Sequence, residues 1–475
     1  MGSEGILLIM AAYFGLLILL SFLVGKEDDN DSFFVGKRNS PWYIVAFGMI
    51  GASLSGVTFI SVPGWVGSSS FSYMQMVFGY LLGYTLISNV LLPLYYKLGL
   101  TSIYGYLNHR FGRSAHVTGS SFFLLSRVVG ASFRLYLVAM VLQLLVFDKW
   151  NIPFWMTVVF TVALIWLYTF RSGIKTIVWT DTLQTLFMLL SVVLTLIWLG
   201  DTLVGGEGWL NHIVDSPKSK IFVFDSLKEP THFVRYFLSG ALITLVMTGL
   251  DQDMMQKNLS CRSLKESQRN MFWFSIVLVF VNLLFMILGL FLSEYAELNG
   301  LDVKGDQLFP SIVMENGSAL LAALFIIGLI AAAYSSADSA LTSLTTSFCV
   351  DILEINESQV STRKAVHIGF SVVLILVVVG FRYVVNEHVV SDLFKAAGYT
   401  YGPLLGLFVF GIFTKAQIQN KWIIPSVAIV SPILSWLLNS WFTQYFNLTL
   451  GFEILALNGL ITLSLLFLAS TFNRE

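Results

Sequence analysis

The feature that most constrains this chain is a series of long apolar runs, each about the length that crosses a lipid bilayer. The hydrocarbon core of a bilayer is roughly 30 Å thick, and a helix of about 20 apolar residues spans it. Such runs recur along all 475 residues, and the charged residues, 12% of the chain, gather in short clusters between them. The pattern predicts a polytopic membrane protein, because a soluble chain with so little charge would leave apolar surface exposed to water.

The runs predict an all-α membrane protein with thirteen transmembrane helices. Continuous apolarity, rather than alternation of apolar and polar residues, favours helices over a β-barrel. Glu4 precedes the first run, where a signal peptide carries basic residues, so we expect this run to be retained as a helix. The predicted spans are 4–25, 43–63, 72–97, 117–147, 153–171, 177–200, 234–253, 272–296, 318–350, 364–384, 392–414, 422–440 and 449–472.

The basic residues between the runs predict the orientation. With the N-terminus outside, seventeen Lys and Arg residues fall in cytoplasmic loops and seven in outer loops, which is the bias of the positive-inside rule. We therefore expect a cell membrane location (plasma or inner membrane) with a cytoplasmic C-terminus. Lys257 is counted with the cytoplasmic group, because the polar stretch 254–271 predicts a short surface helix. Cys261 and Cys349 fall on the same side and are expected to be free thiols.

Two spans contain small and hydroxyl residues where apolar ones are expected. The second span has GASLSG at 51–56, and such residues in a membrane helix either allow close packing, which composition alone favours, or mark a break. In the ninth span, small and hydroxyl side chains share one helical face, and Asp338 lies at its edge. This face is expected to contact protein or water rather than lipid. Its members are Ala332, Ser335, Ser336 and Ser339.

A few charged residues are predicted within the spans, where each is costly unless it has a partner. They include Asp181, Asp338, Arg127 and Arg134. In one interpretation, Arg134 neutralises Asp338 or Asp181 in a structural ion pair. In the other, the carboxylates hold a cation, and an arginine meets an anionic substrate. Carboxylate, hydroxyl and carbonyl oxygens are hard ligands, which suit Na⁺ better than a transition metal.

Six segments, in this order, carry a resemblance to a known family. They are GASLSGVTFISVP at 51–63, LTSIYGYLNHRFG at 100–112, SGIKTIVWTDTLQ at 172–184, DQDMMQKNL at 251–259, AAAYSSADSALTS at 331–343 and GYTYGPLLGLFVFGIF at 398–413. The chain resembles the sodium/solute symporter family, which includes sugar, iodide, monocarboxylate, proline and sialic acid carriers. The resemblance implies a LeuT-type fold of two inverted five-helix repeats. The repeats would be 43–200 and 234–414, with 1–42 before them, an outer loop at 201–233 and two helices in 415–475.

The resemblance also implies two sets of ion ligands. The main sodium site would use the backbone carbonyls of Gly51, Leu54 and Ala332 with the hydroxyls of Ser335 and Ser336. A second site, for sodium or a proton, would use Asp181, Ser335, Asp338 and Ser339. Asp338 stands where the family has a serine, which leaves open whether this site binds an ion, shares a proton or pairs with Arg134.

Substrate positions are implied less closely. Ser53, Ser55 and Thr58 match polar positions of the sialic acid carriers, whereas Gln75 and Arg134 lie near, but not at, the positions of a substrate glutamine and arginine.

The expected function is sodium-coupled import of a small polar organic solute by alternating access, without catalysis. The solute would be a carboxylate, an acidic sugar such as sialic acid, or a sugar. Its expected partners are that solute, Na⁺ and the bilayer, with neither nucleic acid nor an obligate protein partner. The alternatives are a proton-coupled carrier on the same fold, a channel or sensor and, remotely, an intramembrane aspartyl enzyme using Asp181 and Asp338.

Overall fold

The computed structural model describes residues 3–25, 28–170, 173–205, 208–227, 229–383, 389–446 and 450–472. Within these ranges the regular structure is helical, apart from one isolated β-bridge between Ser40 and Cys261. The α-helices in chain order are α1 Ser3–Val24, α2 Asn30–Val35, α3 Trp42–Ser53, α4 Gly56–Ser69, α5 Tyr73–Leu86, α6 Leu92–Lys97, α7 Gly105–Phe111, α8 Arg113–Leu142, α9 Phe154–Thr169, α10 Ile174–Leu203, α11 Trp209–Asp215, α12 Phe233–Thr244, α13 Gln252–Leu259, α14 Leu264–Leu298, α15 Leu308–Asn316, α16 Ala319–Ser347, α17 Val360–Phe381, α18 Val389–Phe413, α19 Ile423–Phe446 and α20 Ile454–Phe472.

Nine of the described helices are long and apolar enough to cross a membrane, and a bent pair, 233–249 with 252–259, would make ten. Large apolar side chains such as Leu19, Trp155 and Leu376 are exposed on the outside of the bundle, as expected for a surface that meets lipid. The prediction of a multi-pass, α-helical membrane protein is therefore confirmed. The count of thirteen crossings stays a prediction, because α3, α9 and part of α20 are shorter apolar helices.

The second predicted span is broken at its centre. α3 ends at Ser53, and the next two residues leave the helical region, with φ −87° and ψ 79° at Leu54 and φ −66° and ψ 169° at Ser55. The break packs directly against α16, where a Cβ added to Gly56 would lie 3.4 Å from the Cβ of Ala333. The small residues at 51–56 therefore mark an interruption of the helix as well as a close contact, although composition alone favoured packing.

Gly51 brings the end of α3 into contact with α10. Its N–H donates a hydrogen bond of 3.0 Å to Oγ1 of Thr185, and that hydroxyl itself donates to the backbone carbonyl of Asp181 at 2.7 Å. A Cβ at position 51 would lie only 2.3 Å from the same Thr185 oxygen. The absence of a side chain at Gly51 thus sets how closely the broken helix approaches α10.

A second bend, of 64°, separates α13 from the helix before it. Asp251 directly precedes α13, where its Oδ1 accepts hydrogen bonds from the N–H groups of Asp253 and Met254 at 2.8 and 3.4 Å. Such N-terminal capping stabilises a helix that restarts after a bend. Every residue of α13 is buried. The prediction of a solvated surface helix in 254–271 is therefore wrong for its first half, because the bend folds this polar segment into the bundle.

The hydroxyl-rich helix α16 lies at the centre of the fold. It packs against α10, α8, α3, α4 and α13, and all of its residues from 328 to 347 are buried. The expectation that the hydroxyl face would avoid lipid agrees with this position. α16 consequently brings its serines to both the broken helix and the bent one.

Candidate ion and substrate site

The break between α3 and α4 lies against the serines of α16. Oγ of Ser336 is 3.5 Å from the carbonyl oxygen of Ala52 and 3.5 Å from that of Ala332. The last carbonyls of a helix have no N–H partner further along the chain, so the end of α3 offers free acceptors here. The junction thus combines hydroxyl and carbonyl oxygens from two helices, a set of ligands that suits Na⁺. Two predicted ligands, Gly51 and Leu54, flank Ala52 at this point.

Ser335, the fifth predicted ligand of the main sodium site, has its hydroxyl bonded to α10. Its Oγ donates a hydrogen bond of 2.6 Å to Oδ1 of Asp181. Ser339, one turn further along α16, is 3.4 Å from the other oxygen of that carboxylate. The structure therefore brings three of the four predicted second-site residues into one buried cluster between α10 and α16.

Lys257 also lies in this cluster. Its Nζ is 2.7 Å from Oδ2 of Asp181, and both side chains are buried, 2% and 0% exposed. Sequence analysis assigned Lys257 to a cytoplasmic loop, and a lysine in a polar stretch gives no indication of burial at this depth. The aspartyl dyad loses its basis, because Asp181 is paired with a lysine instead of sharing a proton with Asp338.

Asp338 has hydrogen-bond partners other than Asp181. Its Oδ2 accepts a hydrogen bond of 2.9 Å from the hydroxyl of Tyr168 on α9, and its Oδ1 accepts one of 2.5 Å from the N–H of Ser339. Within the described ranges, no ion pair joins Arg134 to either aspartate, so the predicted structural ion pair is wrong. Arg134 lies elsewhere, in the wall of a cavity.

A cavity of about 110 Å³ opens beside the break. Four of the five predicted substrate residues, Ser53, Ser55, Thr58 and Arg134, line it. The remaining wall comes mainly from α5, α8, α12 and α14. Its other lining residues are Ala52, Leu54, Tyr73, Tyr80, Tyr84, Arg127, Ile243, Thr244, Met247, Thr248, Met254, Leu278 and Asn282.

The two arginines of this cavity differ in their partners. Arg127 forms ion pairs with Asp253 and, at 3.6 Å, with Asp251; the hydroxyl of Tyr401 also bonds to Asp251. Arg134, about two turns further along the same face of α8, has no ion pair or hydrogen bond within the described part of the chain, and its Nε is buried without a partner. A guanidinium that lines a cavity without a counter-charge can receive an anion, so within the described residues Arg134, rather than the paired Arg127, is the cation available to a solute.

Three tyrosines of α5 also line this cavity, and sequence analysis missed them. Tyr73, Tyr80 and Tyr84 all line it, and the hydroxyls of the first two are 2.8 Å apart. Their spacing of seven and four residues places them on one helical face, so a signal was present in the sequence. Aromatic residues on a membrane helix are more often at the lipid interface, so this spacing was not recognised as a sign of a cavity wall.

Gln75 does not line the cavity, which corrects the prediction that it contacts substrate. Its side-chain amide donates to the carbonyls of Ser72 and Thr231 at 3.1 and 2.9 Å and accepts from the N–H of Val223 at 3.1 Å. The amide is therefore fully used in holding the segment before α12 against α5. Its role in this structure is to fix the fold.

Comparison with known proteins places the chain in a family. The sequence profile described as the sodium:solute symporter family matches residues 33–420. The sodium/iodide cotransporter of Homo sapiens is 24% identical over 430 residues, 87% of this chain and 66% of that protein. The sodium/sialic acid symporter NanT of Aliivibrio fischeri is 24% identical over 447 residues, 89% and 86% of the two chains. The chain thus spans slightly less than two thirds of the iodide cotransporter and most of the sialic acid symporter.

Solved structures agree on the fold. A Na⁺-coupled sialic acid symporter in its substrate-bound outward-open state superposes with a TM-score of 0.84 over 98% of both chains, at 21% identity. Mhp1, a nucleobase-cation-symport-1 family transporter in a closed conformation, gives 0.56 over 92% of this chain, at 15% identity. The matched relatives are transporters and not enzymes. Since the family profile covers most of its length, this chain belongs to the sodium:solute symporter family.

Proposed function

We propose that this protein is a sodium-coupled symporter that imports a small organic anion by alternating access. It would cross the membrane thirteen times, with its N-terminus outside and with ten helices forming the two inverted repeats 43–200 and 234–414. The observation that carries the proposal is the position of Arg134, a cation without a partner, in a cavity whose wall includes the break in α3–α4. Membership of the family supports sodium as the coupling ion.

The sodium ion would bind where the break meets α16. Its ligands would be carbonyl oxygens at the end of α3 (Gly51, Ala52 or Leu54) together with Ala332 and the hydroxyl of Ser336. The geometry that supports this is the 3.5 Å separation of Ser336 from the carbonyls of Ala52 and Ala332. An ion held there ties two separate elements together, and binding that depends on their relative position couples the ion to that position.

The solute would bind directly beside this ion. Ser53 and Ser55 belong to the broken segment and also line the cavity, so an ion that orders the break orders part of the solute site. The carboxylate of the solute would pair with Arg134, and its hydroxyl or amide groups would meet the serines and Thr58. A carboxylate or an acidic sugar fits this arrangement better than a neutral sugar, because a neutral solute would leave the guanidinium without its counter-charge.

The driving force is adequate for concentrative uptake. A tenfold sodium gradient supplies about 1.4 kcal/mol per ion, enough for roughly tenfold accumulation. One sodium ion carried with a singly charged anion would move no net charge, whereas a second ion would also draw roughly 2.3 kcal/mol from a potential of about 100 mV.

The test is a thermal-shift screen of the purified protein in Na⁺ or in an equal concentration of K⁺. The panel contains sialic acids, short monocarboxylates, amino acids and neutral sugars. We expect one carboxylate class to raise the unfolding temperature in Na⁺ and not in K⁺, because a ligand at 100 times its Kd stabilises by about 2.7 kcal/mol. Stabilisation that is equal in both salts would argue against sodium coupling, and a response to neutral sugars alone would argue against the role of Arg134.

A further inference from the structure

The cluster around Asp181 already contains a cation. Nζ of Lys257 lies 2.7 Å from Oδ2 of Asp181, while Ser335 donates to Oδ1 of the same carboxylate at 2.6 Å. Ser339 lies 3.4 Å from Oδ2. These are three of the four residues expected to form a second site for sodium or a proton. The position that a second ion would occupy is therefore next to an ammonium group supplied by the chain itself.

The contact between Lys257 and Asp181 is mainly electrostatic. The ammonium of Lys257 makes no hydrogen bond of regular geometry within the described residues, although its distance from Asp181 is that of a close ion pair. A lysine ammonium is a compact point charge without the directional fork of arginine, and it carries the same charge as Na⁺. Because the carboxylate of Asp181 is neutralised by this ammonium, a sodium ion added there would meet a like charge.

The oxygens of Asp338 are directed to other groups. One accepts a hydrogen bond from the hydroxyl of Tyr168 and the other from the N–H of Ser339. Within the described residues Lys257 forms its ion pair with Asp181 and not with Asp338. The carboxylate that meets the hydroxyls of Ser335 and Ser339 is therefore that of Asp181, and Lys257 is the cation beside it.

The position of Lys257 in the fold keeps it in place. It lies on α13, which is buried over its whole length and is capped at its N-terminus by Asp251. The same helix forms the second half of the bent pair and packs against α16. The ion pair of Lys257 with Asp181 therefore joins α13 directly to α10. At the break between α3 and α4, by contrast, the proposed sodium ion would join the break to α16.

We infer that Lys257 is a tethered cation that permanently fills the second ion position at Asp181, Ser335 and Ser339, so that a single sodium ion is carried per solute. This inference rests on the proposed symport function and specifies its stoichiometry. It assigns Lys257 as the residue that determines how many sodium ions are coupled.

The experiment counts sodium ions. Equilibrium binding of ²²Na⁺ to the purified protein, at mildly alkaline pH and constant ionic strength, gives the number of sites per chain. We expect one site in the wild-type protein and in Lys257→Arg, which keeps the charge. We expect two sites in Lys257→Ala, because the freed carboxylate then attracts an ion, and one again in the double variant Lys257→Ala/Asp181→Asn. Two sites in the wild type, or one site in Lys257→Ala, would overturn the inference.

A second variant keeps the test decisive if Lys257→Ala does not fold. In Asp181→Asn alone the sodium count should remain one, because no ion depends on that carboxylate; a lower count would contradict the inference. The outcome is distinct from failure of the proposed function. Absence of any sodium-dependent solute uptake refutes symport itself, whereas sodium-dependent uptake with two ions per solute refutes only the role of Lys257.

Discussion

The hydroxyl of Ser336 on α16 lies 3.5 Å from the carbonyl oxygen of Ala52, at the end of α3. The contact joins the central hydroxyl helix to the one place where the second predicted span is interrupted. A hydrogen bond at this separation is weak, and an ion placed between the two oxygens would have ligands on both sides. The arrangement explains why small residues and a break occur together in this part of the chain.

Replacing Ser336 with alanine should weaken sodium binding. The change removes one ligand oxygen, and a hydrogen bond or ligand contact to a charged partner contributes about 1.5–3 kcal/mol, so we expect at least about a tenfold higher sodium concentration at half-maximal uptake. The matched control is Ser343→Ala on the same helix, where the hydroxyl donates to the carbonyl of Ala340 at 3.0 Å. Equal effects of the two substitutions would show that the loss is structural.

Replacing Arg134 with glutamine should weaken solute binding and leave sodium binding largely unchanged. Truncating one partner of a buried charge pair costs about 2–5 kcal/mol, so we expect the KM for the transported anion to rise by about 30-fold or more. Arg134→Lys keeps the charge and should retain part of the affinity. The measurement is the dependence of uptake on solute concentration at saturating sodium; an unchanged KM in Arg134→Gln would place the anion elsewhere.

Adding a methyl group at Gly51 should destabilise the protein and disturb sodium binding together. The new Cβ would lie 2.3 Å from Oγ1 of Thr185, and overpacking of this kind costs about 1–3 kcal/mol. The control is Gly15→Ala in α1, where a Cβ would meet nothing within 4 Å. We expect a lower unfolding temperature and a weaker sodium response for Gly51→Ala, with little change for the control. Wild-type behaviour in both variants would contradict the close packing of α3 on α10.

Cys261 should be almost inert towards maleimides in the folded protein. Burial, aided by the nearby carboxylate of Glu266, raises the pKa of its thiol to about 12, and only the thiolate is reactive. At pH 8 the thiolate fraction is then about one in ten thousand, and it rises about tenfold per pH unit until the pKa is reached. The assay uses the variant Cys349→Ser, so that any maleimide labelling comes from Cys261. Rapid labelling of the native protein at pH 8 would show that this segment is accessible in solution.

Much of the site was predictable, because the signals that mark it are local in the sequence. Hydroxyl residues recurring on one face of an apolar run, such as Ser336 and Ser339, cannot face lipid at low cost, so their burial follows from the bilayer itself. The small residues before Leu54 indicated either a break in the helix or close packing against a neighbouring helix, and the structure was required to distinguish the two. Both cysteines, Cys261 and Cys349, are free and buried, as expected for thiols without a disulfide partner.

The position of Lys257 could not be predicted from its surroundings in the chain. It lies in a polar stretch that resembles a solvated loop, and its burial depends on a bend at residues 250–251 that directs α13 into the bundle. Gln75 was misassigned for a related reason, since a buried side-chain amide can form hydrogen bonds either with a ligand or with the backbone of another segment. Only the contacts with Thr231 and Val223 distinguish the two.

The central claim is that sodium drives solute entry through this protein, and uptake into proteoliposomes tests it most directly. Vesicles containing the purified protein receive the radiolabelled anion identified by the thermal screen, under an inward gradient of Na⁺ or of choline at equal ionic strength. The account predicts accumulation above equilibrium only with Na⁺, insensitive to the membrane potential for a singly charged anion and strongly reduced in Ser336→Ala. Equal uptake in choline, or uptake that never exceeds equilibrium, would contradict it.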